Sequence, residues 1–410
     1  MGDVVLNLFM NVHLACDSPS PTQRAFRHAM SGVCKAAWDY YQTCDEFREM
    51  MNMSGVGRRC GRSIGVHLIM TNACLQGNVE TVEMLLASKA VDPNQRVYID
   101  GHTFLMLACD NGNVGCVRAL IKHGAKVDTL DSDDNNAAWL AYRNGSAACL
   151  RELFFAGADP SSTNSAGHFM LNHAVAEGNE ECVQTLLDAN ANVDQRDVHG
   201  WTPLLEACLY GRTNMVRALL RHNASIGHGR DYMEGTTALI MASKEGHYEC
   251  VMELLLQGAL LHGQPLGSFA YEEDRDCRRR TALIACCEEG HFLVAGILLD
   301  AGSDVRSVND DGDDALYAAC KHGHSHCAEL LLSAGADPDH VPPERVKMEA
   351  TPLMISVRNG NVSCVRVLLE SGASPDALAL DESTALHFAV RMGCHDACLL
   401  LLRAGASARL

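Results

Sequence analysis

The sequence predicts an all-α solenoid: stacked helix–turn–helix units joined by β-hairpin-like loops and preceded by a helical N-terminal region. Three observations predict it. A glycine that ends one short helical pattern and precedes another recurs at Gly77, Gly112, Gly145, Gly178, Gly211, Gly246, Gly290, Gly323, Gly360 and Gly393, at spacings of 35, 33, 33, 33, 35, 44, 33, 37 and 33 residues. Each period carries two amphipathic helical patterns, as in arrays whose units bury their apolar faces on one another. Whole units also repeat one string, seen in Gly200-Trp-Thr-Pro-Leu-Leu-Glu-Ala-Cys-Leu-Tyr-Gly211, Gly235-Thr-Thr-Ala-Leu-Ile-Met-Ala-Ser-Lys-Glu-Gly246 and Glu382-Ser-Thr-Ala-Leu-His-Phe-Ala-Val-Arg-Met-Gly393.

Taken in chain order, residues 1–64 come first. Val4 to Cys16 is apolar with an interrupted pattern, and Asp17 to Thr22 is a turn rich in Ser and Pro. Gln23 to Met53 reads as one or two amphipathic helices bearing Phe26, Met30, Val33, Trp38, Tyr41 and Phe47, and Gly55 to Gly65 as a short basic connector with Arg58, Arg59 and Arg62. This region is expected to be a helical cap over the first repeat, since terminal units need a polar outer face; the alternative is a docking element for a second protein.

The array proper, residues 65–410, holds about ten repeats. Thr202 and Thr351 can cap the first helix of their units through the hydroxyl, and Pro203 and Pro352 suit the first helical position because they have no amide hydrogen to leave unbonded. The glycine accepts the left-handed backbone that ends the helix. Leu219-Leu220, Leu254-Leu255 and Leu368-Leu369 fall three or four residues after other apolar positions and form the buried stripe of the second helix. The unit ending at Gly145 is the most degenerate: Trp139 and Tyr142 bring bulk, and Asn135-Asn136-Ala137 replaces the usual opening. That bulk is expected to pack, or else to change local curvature. Insertions near 261–280 and 340–349, rich in Gly, Pro and charge, read as projecting loops.

These units closely resemble the ankyrin repeat, in which Thr-Pro-Leu-His opens the first helix, Gly-His breaks it, and a Leu-Leu run leads to a Gly-Ala-Asp turn. Here that turn appears as Gly124-Ala-Lys, Gly157-Ala-Asp, Gly302-Ser-Asp, Gly335-Ala-Asp, Gly372-Ala-Ser and Gly405-Ala-Ser. The resemblance implies a rigid, curved surface whose partner contacts lie on the concave side, at the hairpin tips and the exposed side of the first helices.

Cysteine usage and charge fit an intracellular interaction protein. Of 19 cysteines, Cys116, Cys149, Cys182, Cys250, Cys327 and Cys364 lie four residues after a repeat glycine, and Cys74, Cys109, Cys208, Cys287 and Cys320 three before one. Such positions are core, equivalent ones lie one repeat apart, and the thiols are expected to be reduced packing groups, favouring cytoplasm or nucleus. The net charge is −18, and residues 1–64 hold seven Lys or Arg against six Asp or Glu, so the array carries about −19. A surface that acidic repels phosphate backbones and anionic membranes, so neither nucleic acid nor membrane is expected as a partner. No stretch approaches the roughly 18–20 apolar residues of a bilayer span.

The search for chemistry excludes the usual motifs. The sequence holds no phosphate-cradling loop, nucleotide fingerprint, nucleophile elbow or His-Glu-x-x-His. His322-Gly-His-Ser-His326-Cys327 resembles a metal cluster, but His324 is the family's ordinary residue after the glycine and Cys327 a core position, so no metal, cofactor or catalytic residue is expected.

Partner-binding candidates are the two residues before each glycine, among them Leu209, Tyr210, Lys244, Glu245, Glu288 and Glu289, and the hairpin positions His102, His168, His199, Trp201, Met233 and Asp313. Trp201, Leu209 and Tyr210, with Tyr232 and Met233 next door, gather apolar bulk in the middle of the array as binding hot spots do; the alternative is that Trp201 packs along its own hairpin and Tyr210 covers a neighbour. The sequence thus predicts a monomeric, non-enzymatic scaffold or adaptor that binds a basic or mixed-charge protein segment on an acidic concave face. The alternative is a substrate-recognition subunit of a ubiquitin ligase docking through residues 1–64. The last repeat stops at Leu410, directly after Gly405-Ala-Ser-Ala-Arg, where a C-terminal SOCS box has no room.

Overall fold

The computed structural model describes residues 57–97, 101–164, 166–227, 236–258, 280–341 and 350–407, with side chains from Val66 onward. Among these residues the chain forms twenty α-helices and no strand. In order they are α1 (Gly57–Gln76), α2 (Val79–Ala87), α3 (Phe104–Asp110), α4 (Val114–Lys122), α5 (Ala137–Arg143), α6 (Ala147–Phe155), α7 (Met170–Glu177), α8 (Glu180–Asp188), α9 (Pro203–Leu209) and α10 (Thr213–Arg221). Then come α11 (Ala238–Lys244), α12 (Tyr248–Leu256), α13 (Ala282–Glu289), α14 (Phe292–Asp300), α15 (Ala315–His322), α16 (Ser325–Ser333), α17 (Pro352–Arg358), α18 (Val362–Glu370), α19 (Ala385–Met392) and α20 (His395–Arg403). Isolated antiparallel bridges, Arg96 with Thr103 and Thr163 with Phe169, mark two of the hairpins.

The helices fall into two compact units. One comprises residues up to Met170 together with Glu181–Ala191; the other comprises Leu171–Glu180 together with Asn192–Leu410. Within the first unit, α1, α3 and α5 pack side by side, as do α2, α4 and α6. Within the second, α9, α11, α13, α15, α17 and α19 form one row of first helices, and α10, α12, α14, α16, α18 and α20 a row of second helices.

The sequence explains each start and stop. Thr202, Thr237, Thr281, Thr351 and Thr384 accept a hydrogen bond from the backbone N–H three residues on, satisfying a donor the helix leaves unpaired, and Asn136 and Asp314 do the same in their units. Every repeat glycine has positive φ, from +65° at Gly211 to +86° at Gly323. The core is the stripe of the second helices with the inner faces of the first: Leu120, Leu150, Leu219, Leu254, Leu298, Leu331 and Leu368 are all fully buried.

Two links between repeats lie beyond any single period. The side chain one residue past the glycine reaches back to cap the first helix of the preceding repeat. Asn113 Nδ2 donates to the carbonyls of Cys74 and Leu75 at 2.7 and 3.0 Å, Asn361 Nδ2 to that of Cys320 at 2.9 Å, and the rings of His247 and His324 meet the carbonyls of Leu209 and Glu288 at 3.1 and 3.0 Å. The loops are also laced: the backbone N–H of Lys126 donates to Asn94 at 2.7 Å, that of Ser225 to Asp194 at 2.8 Å, and that of Ser407 to Asp376 at 2.8 Å.

Two sequence expectations are corrected. Gly55 to Gly65 is not a connector from Gly57 onward, because α1 begins there and runs unbroken into the first repeat; no Thr-Pro opening near residue 65 forces a new start, so the repeat boundary falls inside a helix. The hairpin positions His102 and Asp313 are buried, at 6% and 4% exposure, so neither is a surface contact. The expectation that the bulk of the degenerate unit packs holds: Trp139 and Tyr142 are buried edge to face, with centroids 5.7 Å apart, and the Trp139 indole N–H donates to the carbonyl of Ser162 at 3.2 Å.

Candidate functional site: the exposed ends of the first helices

Within the second unit, the first helices end in a row. Each closes one or two residues before a glycine, and the residue just before that glycine is open to solvent: Tyr210, Glu245, Glu289, His322 and Asn359 are all exposed. Tyr210 caps α9, its N–H donating to the carbonyl of Glu206 at 3.1 Å, and half of its surface is open. Successive helices pack at roughly 8–10 Å, so the row offers an aromatic ring, then two carboxylates, then an imidazole and an amide at regular steps.

The position just before it is less open. Leu209, Lys244 and Glu288 are half-buried. Glu288 is already engaged, its carboxylate accepting from Arg280 at 2.9 Å, which leaves Glu245 and Glu289 as the free acidic positions of the sequence set. Lys321 turns toward Asp313 at 3.1 Å, and Asn359 Nδ2 donates to the Lys321 carbonyl at 2.8 Å. Burial pushes the Asp313 carboxyl above its ordinary value, and the Lys321 ammonium opposes that shift.

Trp201 is half-buried rather than exposed. The hairpin before α9 is an Asx turn in which Asp197 Oδ1 accepts from His199 and Trp201 N–H, both at 2.8 Å, while the Trp201 carbonyl accepts from Asn172 Nδ2 at 2.9 Å. These bonds draw the residue along its own hairpin. Tyr232 and Met233 lie outside the described residues. The structure therefore brings Leu209 and Tyr210 to one helix end, with Glu245 and Glu289 on the next two, and leaves Trp201 half-buried in the hairpin before α9.

The histidine-rich stretch divides by location. His324 is held by the Glu288 carbonyl, Cys327 is fully buried, and the His322 and His324 rings stack with centroids 6.3 Å apart. Among the described residues no three His, Cys, Asp or Glu side chains are grouped to hold a metal.

The cysteines at the sequence-predicted core positions form no disulfide and are buried; Cys394 and Cys398 are half-exposed. Thiols that meet across repeats are not at equivalent positions. Cys287 meets Cys327, and Cys320 meets Cys364, each pair joining the first helix of one repeat to the second helix of the next. Burial raises the thiols of Cys109 and Cys208 well above their ordinary value.

Comparison with known proteins bears on residues 70–410. The family model described as ankyrin repeats (3 copies) matches residues 70–164, 139–231, 171–264, 223–307, 252–342 and 340–410. Over 65 residues the chain is 38% identical to cortactin-binding protein 2 of Mus musculus, and equally to those of Rhinolophus ferrumequinum and Equus caballus. That match covers 16% of this chain and only 4% of the length of each relative. The crystal structure of the human ASB11 ankyrin repeat domain aligns with a TM-score of 0.49 and 24% identity over 58% of this chain and 98% of that one. No helix among the described residues is long and apolar enough to cross a membrane. With the repeat string, the left-handed glycines and the paired rows of helices all present, the chain belongs to the ankyrin repeat family, whose fold is a protein-interaction scaffold and typically non-catalytic.

Proposed function

We propose that this protein is a non-catalytic adaptor that binds a basic or mixed-charge protein segment along the first-helix ends of its second unit. The row Tyr210, Glu245, Glu289 carries the proposal: an exposed aromatic ring for apolar anchoring beside two exposed carboxylates with no cation bound to them among the described contacts. Adjacent carboxylates stand roughly 8–10 Å apart by the usual spacing of packed helices. An extended segment advances roughly 3.3 Å per residue, so cations three residues apart meet Glu245 and Glu289 in turn. The array's charge of about −19 adds long-range attraction for such a segment. Leu209 and Lys244, half-buried one position before Tyr210 and Glu245, and Trp201, half-buried in the hairpin before α9, are the further contacts of this reading.

The test is affinity capture from reducing lysate with intact protein, a Tyr210→Ala/Glu245→Lys/Glu289→Lys variant, and a chain lacking residues 1–56. Partners lost with the triple variant and kept by the truncated chain support the proposal. Partners kept by the triple variant and lost on truncation refute it, and cullin-type machinery among those lost on truncation supports the ligase-receptor alternative instead.

A further inference from the structure

We infer a second interaction surface, on the outer face of the second helices α12, α14 and α16, that takes an apolar helix flanked by Lys or Arg. It rests on a change in what occupies one pair of facing places on successive second helices. Counting from the repeat glycine, the sixth residue of one second helix faces the seventh of the next. In the first unit Arg118 pairs in this way with Glu152, and in the second Arg217 pairs with Glu253. At the next step the same two places hold Met252 and Ile297, and at the step after that Gly296 and Leu330. At the other steps the sixth residue is Glu83, Arg151, Gln184, Glu329 or Arg366, so a place that is otherwise charged or polar holds an apolar side chain and then a glycine here.

The surrounding surface follows suit. Tyr248, Met252 and Leu256 recur every fourth residue on α12 and so share one helix face; they are 47, 42 and 72% exposed. On α14, Phe292 and Leu293 are 49 and 58% exposed, and the Phe292 ring lies 5.9 Å from that of His326 on α16. Five large apolar side chains this open on two adjacent helices, with Leu330 half-buried on the third, go beyond the single exposed residues that soluble surfaces carry.

Gly296 supplies an independent observation. It lies in mid-helix, where glycine is a poor helix former. The array gives it no packing reason: a Cβ there would meet Leu330 Cδ2 at 3.8 Å, an ordinary contact. Gly115 in α4 differs, since a Cβ there would come within 2.5 Å of Val79 Cγ2. Equivalent positions in other repeats carry Arg118, Arg217, Glu329 and Arg366. A glycine at that place leaves a dip in the outer face where a partner backbone can approach closely.

Charge selects the occupant. The sequences of α12, α14 and α16 contain no Lys or Arg; of their carboxylates Glu253 is taken by Arg217, which leaves Glu249, Asp300 and Glu329. A second copy of this face would set carboxylate against carboxylate, whereas a helix with basic flanks complements it.

Fluorescence anisotropy of a labelled Leu/Lys helical peptide of roughly 18 residues, long enough to cross three helices, tests this on the full chain. Controls are a scrambled peptide of the same composition and a Leu/Glu analogue. The Leu/Lys helix is expected to bind, with both controls weaker by about tenfold or more. Gly296→Gln fills the dip without adding charge and favours helix, so its fold is kept; it and Met252→Gln are each expected to weaken Leu/Lys binding by about tenfold. Equal affinity for the scrambled peptide, unchanged affinity in Gly296→Gln, or self-association of the chain without peptide binding would overturn the inference.

Discussion

Replacing a repeat glycine by alanine should cost more where the next repeat leans on it, and Gly290 against Gly360 isolates that difference. Both have left-handed backbone, with φ +84° and +76°. An L side chain there costs roughly 1–2 kcal/mol, partly offset by about 0.4–1 kcal/mol from the stiffer unfolded chain; these terms are common to both sites. At Gly360 nothing lies within 4 Å of the added Cβ, since Cys394 occupies the place one residue past the next glycine. At Gly290 the new Cβ would sit 2.5 Å from His324 Nδ1, so the ring must move. Moving it breaks the 3.0 Å contact between His324 Nε2 and the carbonyl of Glu288, a bond worth about 0.5–1.5 kcal/mol. Gly290→Ala is therefore expected to lose about 1 kcal/mol more than Gly360→Ala. Urea unfolding followed by circular dichroism reads the difference in midpoints at constant slope, and hydrogen exchange should show the extra loss in α13. Equal losses at the two sites would refute the idea that the histidine locks one repeat to the next.

Other expectations follow from single contacts. Trp139→Ala removes a ring that is 6% exposed together with its bond to Ser162, and should destabilise by about 3–5 kcal/mol in thermal or urea unfolding. Asp314→Asn keeps an acceptor for the Tyr317 N–H but has no charge to bury. Burial raises the Asp314 carboxyl above its ordinary value of 3.8, so its ionised form costs stability once the pH exceeds that value. The variant should be more stable than wild type at neutral pH, and the advantage should vanish as pH falls below the ordinary carboxylate range. Among the described cysteines, Cys394 and Cys398 should alkylate rapidly in the native state, with the buried thiols reacting only on unfolding; mass spectrometry of labelled peptides separates the two groups.

What was legible in the sequence was whatever one repeat encodes alone. Thr202, Thr237 and Thr351 cap their helices, the glycines adopt left-handed backbone, and paired leucines line the core, because each of these roles is satisfied within a few residues. Features that depend on the neighbouring repeat were not. His324 and Asn361 carry no mark in their own units to show that they cap the helix before. For Trp201 the sequence leaves an exposed and a packed alternative open, and the half-buried outcome goes with backbone bonds to Asp197 in its own hairpin and to Asn172 in the repeat before. Glu288 and Glu289 look alike as adjacent acids, yet Arg280 takes only the first. The outer apolar face left a sequence signal, the lack of Lys and Arg in three successive second helices, that becomes meaningful once the Arg217–Glu253 pairing shows which positions face each other.

The central claim is that recognition takes place at the first-helix ends of the second unit. Hydrogen–deuterium exchange of the full chain, with and without its captured partner, tests it most directly. The account predicts slowed exchange confined largely to the segments holding Tyr210, Glu245 and Glu289. Unchanged exchange at those three segments, with protection appearing only in residues 1–56, would contradict it.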